Sequence, residues 1–330
     1  MHFKLLFGLI TLSIAATITA KTIPSIISLG HKFNLVDEPN ARKQHEKRMV
    51  RIGGISIFFG LISALLFTYT IPNYISSFDI YFLKPIMAAL ITALIFFLVG
   101  LLDDFFSLSP FLRLGIQFTV TFFAWYEGLR IQLIDISMLN LDIGELYLPN
   151  IFSILITSIW LVGIANAINW MDGLDGLAAG VLFIYAFGIA LISYTYSNSL
   201  IFFLALTLVG TSFGFLIFNF YPSKIHMGDS GSYLFGSLLG GLSILTFTKF
   251  NLENNYGVIS LEKSIFLVLI PVLDMTFVIF NRILKKKSPF YPDRSHLHHR
   301  ILDSGKNTRE AVMNIYLLVI FTTFLTYIIA

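Results

Sequence analysis

The sequence predicts an all-α polytopic membrane protein of about ten transmembrane helices, with a short outer β-hairpin near residues 130–149. Three observations carry that reading. Of the 330 residues, 56% are hydrophobic and only 12% are charged, about half the charge of an average soluble domain. The apolar residues gather in runs close to the ~20 residues that cross a bilayer. Between the runs, Lys and Arg fall mostly on alternate loops. A soluble fold is excluded, because the chain lacks the charge to cover its surface. With no Cys, disulfide scaffolds, thiolate-zinc sites and cysteine nucleophiles are excluded as well. The net charge of +3 is too small to imply nucleic-acid binding.

The ten stretches run roughly over 4–28, 52–72, 84–102, 110–127, 151–168, 176–195, 199–219, 231–248, 264–284 and 311–329. Backbone polar groups in hydrocarbon must be paired internally, so each should be a helix. The first run, ending near Thr19 and Ala20, could pass for a cleaved signal peptide. It is retained as a span because apolar character resumes after Pro24 with Ile26, Ile27 and Leu29. Residues 130–149 alternate apolar and polar side chains, with Gly144 at a turn, which predicts the hairpin. No repeat, linker or low-complexity segment divides the chain, so 1–330 reads as one integral membrane domain.

Orientation follows from the cations. Placing 30–51 in the cytoplasm puts 103–113, 166–175, 220–230 and 281–310 on the same side. These five inner loops hold 16 of the 22 Lys and Arg, against five on the opposite side. Both termini should then lie outside.

The inner loops also carry the acids. Asp103 and Asp104 adjoin at the inner end of a span. Asn166, Asn169, Asp172 and Asp175 recur every three residues, which on a helix makes an inclined stripe. Gly173 and Gly176 allow the helix end to unwind. Asp229 sits between Gly228 and Ser230 ahead of the eighth stretch. Each group has a plainer reading: solvated acids at a membrane edge for the pair, helix caps for the stripe and for Asp229. Together, five Asp residues and 16 cations on one face describe a site for a polyanion and a divalent metal. Carboxylate and amide oxygens suit Mg²⁺, which takes one or two carboxylates plus substrate phosphates. A phosphate-containing substrate at the inner membrane surface is what the residues imply.

The motifs resemble those of the polyprenyl-phosphate N-acetylhexosamine-1-phosphate transferases, glycosyltransferase family 4. Asp37, Pro39, Arg42, Lys43 and His45, followed by Arg51, Gly53 and Gly54, resemble the first cytoplasmic motif. Asp103–Asp104, Asn166–Gly176 and Met227–Ser232 are similar to the next three, and Pro292–Arg300 to the last. The resemblance spans 37–305 in the family's order. It implies transfer of a sugar 1-phosphate from a UDP-N-acetylhexosamine to undecaprenyl phosphate, with release of UMP, Mg²⁺ as cofactor and Mn²⁺ as a substitute. It implies a multi-pass protein of the bacterial inner membrane with a cytoplasmic active site, in a family where homodimers are common. By resemblance, Asp229 ligates the metal with Asn169, and Asp103, Asp104 and Asp229 are catalytic. Asn166, Asp172, Asp175, Arg294, His296, His298 and His299 would bind nucleotide and sugar, and Lys43, His45, Arg113 and Arg300 phosphate.

Two positions depart from the family pattern. Arg113 stands where Lys is usual, replacing a point charge by a planar fork, and Val50 stands where many members have Pro. His296, His298, His299 and Arg300 resemble the branch that uses UDP-GlcNAc-type donors for O-antigen, common-antigen or teichoic-acid synthesis. The phospho-N-acetylmuramoyl-pentapeptide transferase branch has three consecutive His, then Phe-Glu, and is the first alternative. Zinc at the His cluster is disfavoured by the oxygen-donor surroundings. A transporter is the second alternative; it would place polar groups at mid-membrane on broken helices. Asp274, after Pro271, is the acid in the interior of a stretch, away from its ends, and it should face a partner within the bundle.

Overall fold

The computed structural model describes residues 2–37, 48–70, 80–135, 144–250, 257–291 and 293–330. Lys43 and His45 lie outside the described residues. The helices are α1 His2–Lys32, α2 Gly54–Tyr69, α3 Ile80–Phe106, α4 Pro110–Tyr126, α5 Asn150–Met171 and α6 Leu177–Thr195. They continue with α7 Ser199–Asn219, α8 Gly228–Thr246, α9 Leu261–Leu267, α10 Leu269–Leu284, α11 Leu297–Asp303 and α12 Thr308–Ile329.

Each apolar stretch lies on helix, but ten spans is more than length and hydropathy support. Six helices among the described residues are long and apolar enough to cross a membrane: those of α1, α3, α5, α6, α7 and α12. A seventh arises if α9 and α10 form one bent span. The shortfall has local causes. Helix α2 has 16 residues, about 24 Å of rise, and α4 carries Arg113 and Gln117 in its first turns. In α8, five Gly and four Ser dilute the hydropathy. The stretch 264–284, expected as one span, is instead α9 and α10 with an 82° bend between them. Pro271 lacks the N–H that would bond back across Val268, so the helix cannot run through.

The small residues of α8 make it the hub: it is buried almost throughout and packs chiefly against α3 and α5. A Cβ on Gly100 of α3 would stand 2.3 Å from the Asp229 carbonyl oxygen, and one on Gly54 of α2 2.3 Å from the Gly231 nitrogen. These glycines let α2 and α3 reach the first turn of α8 at backbone contact. One buried apolar cluster extends from Ile23 of α1 to Val319 of α12.

At the opposite end of the bundle lies a four-stranded sheet of order β4-β3-β6-β5. Strand β3 Leu133–Asp135 pairs antiparallel with β4 Glu145–Tyr147, with Leu133 opposite Tyr147. This is the strand pair read over 130–149; residues 136–143 between the strands lie outside the described residues. The same sheet contains β5 Thr248–Phe250 and β6 Gly257–Ile259, with β6 parallel to β3, a pairing that sequence alternation did not reveal. A second unforeseen pair, β1 Val36–Asp37 with β2 Met49–Val50, closes the loop after α1.

Gly100→Ala is expected to lower the thermal unfolding midpoint in detergent, since overpacking typically costs about 1–3 kcal/mol. Gly115→Ala, whose Cβ would meet nothing within 4 Å, should be neutral or slightly stabilising. Equal midpoints for the two variants would contradict the contact between α3 and α8.

Candidate active site

The site begins with one carboxylate. Asp104, near the C-terminal end of α3 and 4% exposed, accepts the backbone N–H of Asp229 at 2.9 Å and of Ser230 at 3.0 Å. Helix N-termini carry unpaired N–H groups and partial positive charge, so Asp104 caps α8 from a distant part of the chain. Arg51 donates to the Asp104 carbonyl oxygen and approaches Asp37 at 3.9 Å. Gly228 has φ +74°, and a Cβ there would strike the Arg51 carbonyl oxygen at 1.9 Å. Only glycine fits between the strand β2 exit and the start of α8.

Capping aims Asp229 at its neighbours. Its Oδ1 accepts from Asn169 Nδ2 at 2.6 Å, and the same amide nitrogen donates to Ser232 Oγ at 2.9 Å. With that nitrogen committed to protein acceptors, the Asn169 Oδ1 is left as the donor atom toward a ligand. Asp229 Oδ2 accepts from Arg113 Nη1 at 3.1 Å, and the same guanidinium nitrogen donates to Asp103 Oδ2. Asp103, 7% exposed, also accepts the Leu108 N–H at 2.6 Å. Asp103, Asn169 and Asp229 thus converge on one cleft of about 440 Å³, which Arg51, Arg113, Asp172 and His226 also line.

A larger cleft of about 880 Å³ shares Asp37, Asp172 and His226 with the first and continues past Asp175, His299 and Arg294 to Lys306 and Arg309. The predicted stripe of four polar residues does not stay helical. Helix α5 ends at Met171, Asp172 is its C-cap, and Gly176 turns left-handed at φ +77° to start α6. Asn169 and Asp172 face the cleft, whereas Asn166 is held at the side by Gln117 at 2.9 Å and by Tyr233 at 3.5 Å. Asp175 accepts both the Ser223 N–H and hydroxyl, at 2.9 and 2.7 Å, and Asn219 accepts the Gly176 N–H at 3.2 Å. These bonds tie the turn before α6 to the segment before α8. Burial pushes the Asp172 carboxyl up to about 7; Asp104, Asp175 and Asp37 push the same way, and His226 opposes them.

The His segment divides in two. His296 Nδ1 meets Asp274 Oδ2 at 2.9 Å, and the Leu297 N–H donates to Asp274 Oδ1 at 2.6 Å. Asp274 therefore faces a partner in the bundle, as expected, and that partner is the start of α11. Held this way, it does not form the open mid-membrane polar site that a transporter requires. His298 is 2% exposed and packs on Gly173, where a Cβ would stand 2.5 Å from its Nε2. Burial drives the His298 imidazole down to about 3, with His299 and His296 adding to the shift. His299 is also lowered, by burial and then by Arg294. At neutral pH both offer hydrogen bonds, not charge. Among the described residues of the segment, His299 and Arg294 line the larger cleft; Arg300 lies over the Phe277 ring at 4.3 Å. The cations that do line the larger cleft at its far end, Lys306 and Arg309, were missed. Lys306 precedes, and Arg309 lies within, the capping box of Asn307 and Glu310 that opens α12, a signature readable in sequence. Among the described residues no three His, Asp or Glu form a ready metal cage.

These clefts, at the ends of apolar helices long enough to cross a membrane, define a membrane-embedded protein with an acid-rich, cation-rimmed site. The family model described as glycosyl transferase family 4 matches residues 86–247. A probable undecaprenyl-phosphate N-acetylglucosaminyl 1-phosphate transferase of Bacillus subtilis is 35% identical over 297 residues, 89% of this chain and 77% of that protein. A decaprenyl-phosphate N-acetylglucosaminephosphotransferase of Mycolicibacterium smegmatis is 33% identical over 318 residues, 92% of this chain and 77% of its own length. An undecaprenyl-phosphate alpha-N-acetylglucosaminyl 1-phosphate transferase of Escherichia coli is 28% identical, covering 88% of this chain and 75% of that protein. The chain belongs to glycosyl transferase family 4.

A carboxyl whose folded pKa exceeds its unfolded value of 3.8 loses stability as pH rises from about 4 to about 7. Asp172→Asn should therefore be more stable than the parent at pH 8, with the difference shrinking toward pH 4. Unfolding midpoints measured across that range check this; a pH-independent difference would count against the raised pKa of Asp172.

Proposed function

We propose that this protein transfers N-acetylglucosamine 1-phosphate from UDP-N-acetylglucosamine to undecaprenyl phosphate, releasing UMP, at the cytoplasmic face of a bacterial inner membrane. The observation that carries the reading is the convergence of Asp103, Asn169 and Asp229 on one cleft, with Arg113 between the acids. The relatives' names support the sugar phosphate and the polyprenyl acceptor. The cation bias of the loops supports placing this face of the protein in the cytoplasm. The product would start an O-antigen, common-antigen or teichoic-acid type of envelope glycan.

The donor set fits Mg²⁺: Asp229 and Asn169 would hold it, with Asp103 near, through oxygens alone and with no closed cage. When bound, the ion supplies neutralisation of the diphosphate. The chain's own residues do the rest. In transfer, an oxygen of the acceptor phosphate bonds to the β-phosphorus of the donor, and the bond from that phosphorus to the bridging oxygen breaks, freeing UMP. A phosphate monoester is largely a dianion near neutral pH, its second pKa being about 6, so attack needs little base. Asp103 takes the proton from the remaining monoanion and assists direct attack. Arg113 and Arg51 hold phosphate oxygens at the cleft, and the neutral His299 beside Arg294 donates or accepts hydrogen bonds in the larger cleft.

Purified protein, undecaprenyl phosphate, Mg²⁺ and a panel of UDP-sugars should give UMP release with UDP-N-acetylglucosamine above the other donors. Release with none of them would contradict the reading. Asp229→Asn should abolish Mg²⁺-dependent turnover. Asp103→Asn should lose rate chiefly below about pH 6, where the acceptor is a monoanion, and approach the parent as pH rises and the acceptor ionises unaided. Exchange of labelled UMP into the UDP-sugar without acceptor would instead indicate a covalent enzyme intermediate.

A further inference from the structure

Helix α10 ends in Leu284 and is followed by Lys285, Lys286 and Lys287, all exposed. They are not a loose tail. Lys285, Lys286 and Lys287 donate backbone N–H groups to Asn281, Ile283 and Arg282, with Lys286 in the left-handed region at φ 54°. The turn fixes the backbone of three consecutive lysines at the carbonyl end of the helix, where cations are favoured. Lys287 Nζ lies 4.3 Å from the centre of the exposed Tyr291 ring. Phe290 meets Phe111 of α4 edge-on at 5.6 Å, anchoring the segment to the bundle.

The rest of α10 is amphipathic in a particular sense. Its bundle-facing side buries Pro271, Asp274, Val278 and Arg282, and its outer side exposes Leu273, Phe277, Phe280, Ile283 and Leu284. An apolar outer face of this kind belongs in acyl chains. The carboxylates of this region are already committed: Asp293 to Arg282, Asp303 to Arg294, and Asp274 to His296. Among the described residues, none of the three lysines forms an ion pair with an acid. An acyl-facing helix that ends in three uncompensated lysines and a Tyr has the composition of a membrane-interface anchor.

We propose that Lys285, Lys286 and Lys287, with Tyr291 and the outer face of α10, form a surface site for anionic phospholipids of the bilayer. The headgroup phosphate sits among the ammonium groups and the acyl chains lie along Phe280 and Ile283. This goes beyond the transfer reaction and does not depend on it.

The test uses the full chain in phosphatidylcholine vesicles containing spin-labelled phosphatidylglycerol or spin-labelled phosphatidylcholine. The fraction of motionally restricted label gives the preference for the anionic lipid. Each lysine near an anionic surface contributes roughly fivefold, so the triple variant K285Q/K286Q/K287Q should lose at least tenfold of the preference at the strongest site. K285R/K286R/K287R should keep it, and the parent's preference should weaken with salt. An unchanged preference in the glutamine variant, or a salt-independent one in the parent, would overturn the proposal. So would a glutamine variant that keeps the phosphatidylglycerol preference and loses only polyprenyl phosphate binding, because the lysines would then serve the acceptor.

Discussion

The arrangement of this site depends on the Asp104 carboxylate accepting the N–H groups of Asp229 and Ser230 in the first turn of α8. Two charge-assisted hydrogen bonds in a buried setting fix the rotation and height of that helix against α3. Asp229, whose own N–H is one of the two, has no freedom to point elsewhere. Gly54, Gly100 and Gly228 make the approach close enough for the bonds to form. The contacts of Asp229 itself, from Asn169 on α5 to Arg113 on α4, follow from the position this fixes.

This separates the two adjacent acids of α3. Asp103 and Asp104 look alike in sequence, yet successive residues on a helix point about 100° apart. One turns toward the α8 backbone and is consumed there. The other turns into the cleft and meets Arg113. The larger cleft follows the same logic of hydrogen bonds fixing loops. Asp175 holds Ser223, Asn219 holds Gly176, and Tyr316 of α12 donates to the Gly176 carbonyl oxygen at 2.6 Å. Neutral, buried His298 fills the space over Gly173 and keeps α11 close to the turn before α6.

Much of this was legible in the sequence for a physical reason. Apolar runs bounded by polar loops are long-range signals, and the inner loops carry most of the cations and the clustered Asp103, Asp104, Asp172, Asp175 and Asp229, so the helices and the side bearing the site could be read directly. The division of labour could not. Nothing in a sequence distinguishes Asp104 as a cap for residues more than a hundred positions away. The parallel pairing of Leu133–Asp135 with Gly257–Ile259 is likewise set by tertiary placement, because three-residue strands are too short to show alternation. The bend at Val268 was masked by continuous hydropathy on both sides, though Pro271 marked it. Asn219 lies at the end of an apolar helix where sequence alone gives it no special role, and its two bonds to Gly176 and Ile225 appear only in the fold.

The claim most exposed to test is that Asp104 builds the site and does not react. The thermal unfolding midpoint of Asp104→Asn, in the detergent used for the parent, measures it directly. An amide oxygen can accept one of the two N–H groups, while its NH₂ faces the other as a mismatched donor. Hydrogen bonds to charged groups contribute roughly 1.5–3 kcal/mol each, so the midpoint should fall by several degrees, with turnover lost alongside. A variant that unfolds at the parent's temperature yet has no activity would contradict this account and return Asp104 to the reacting groups.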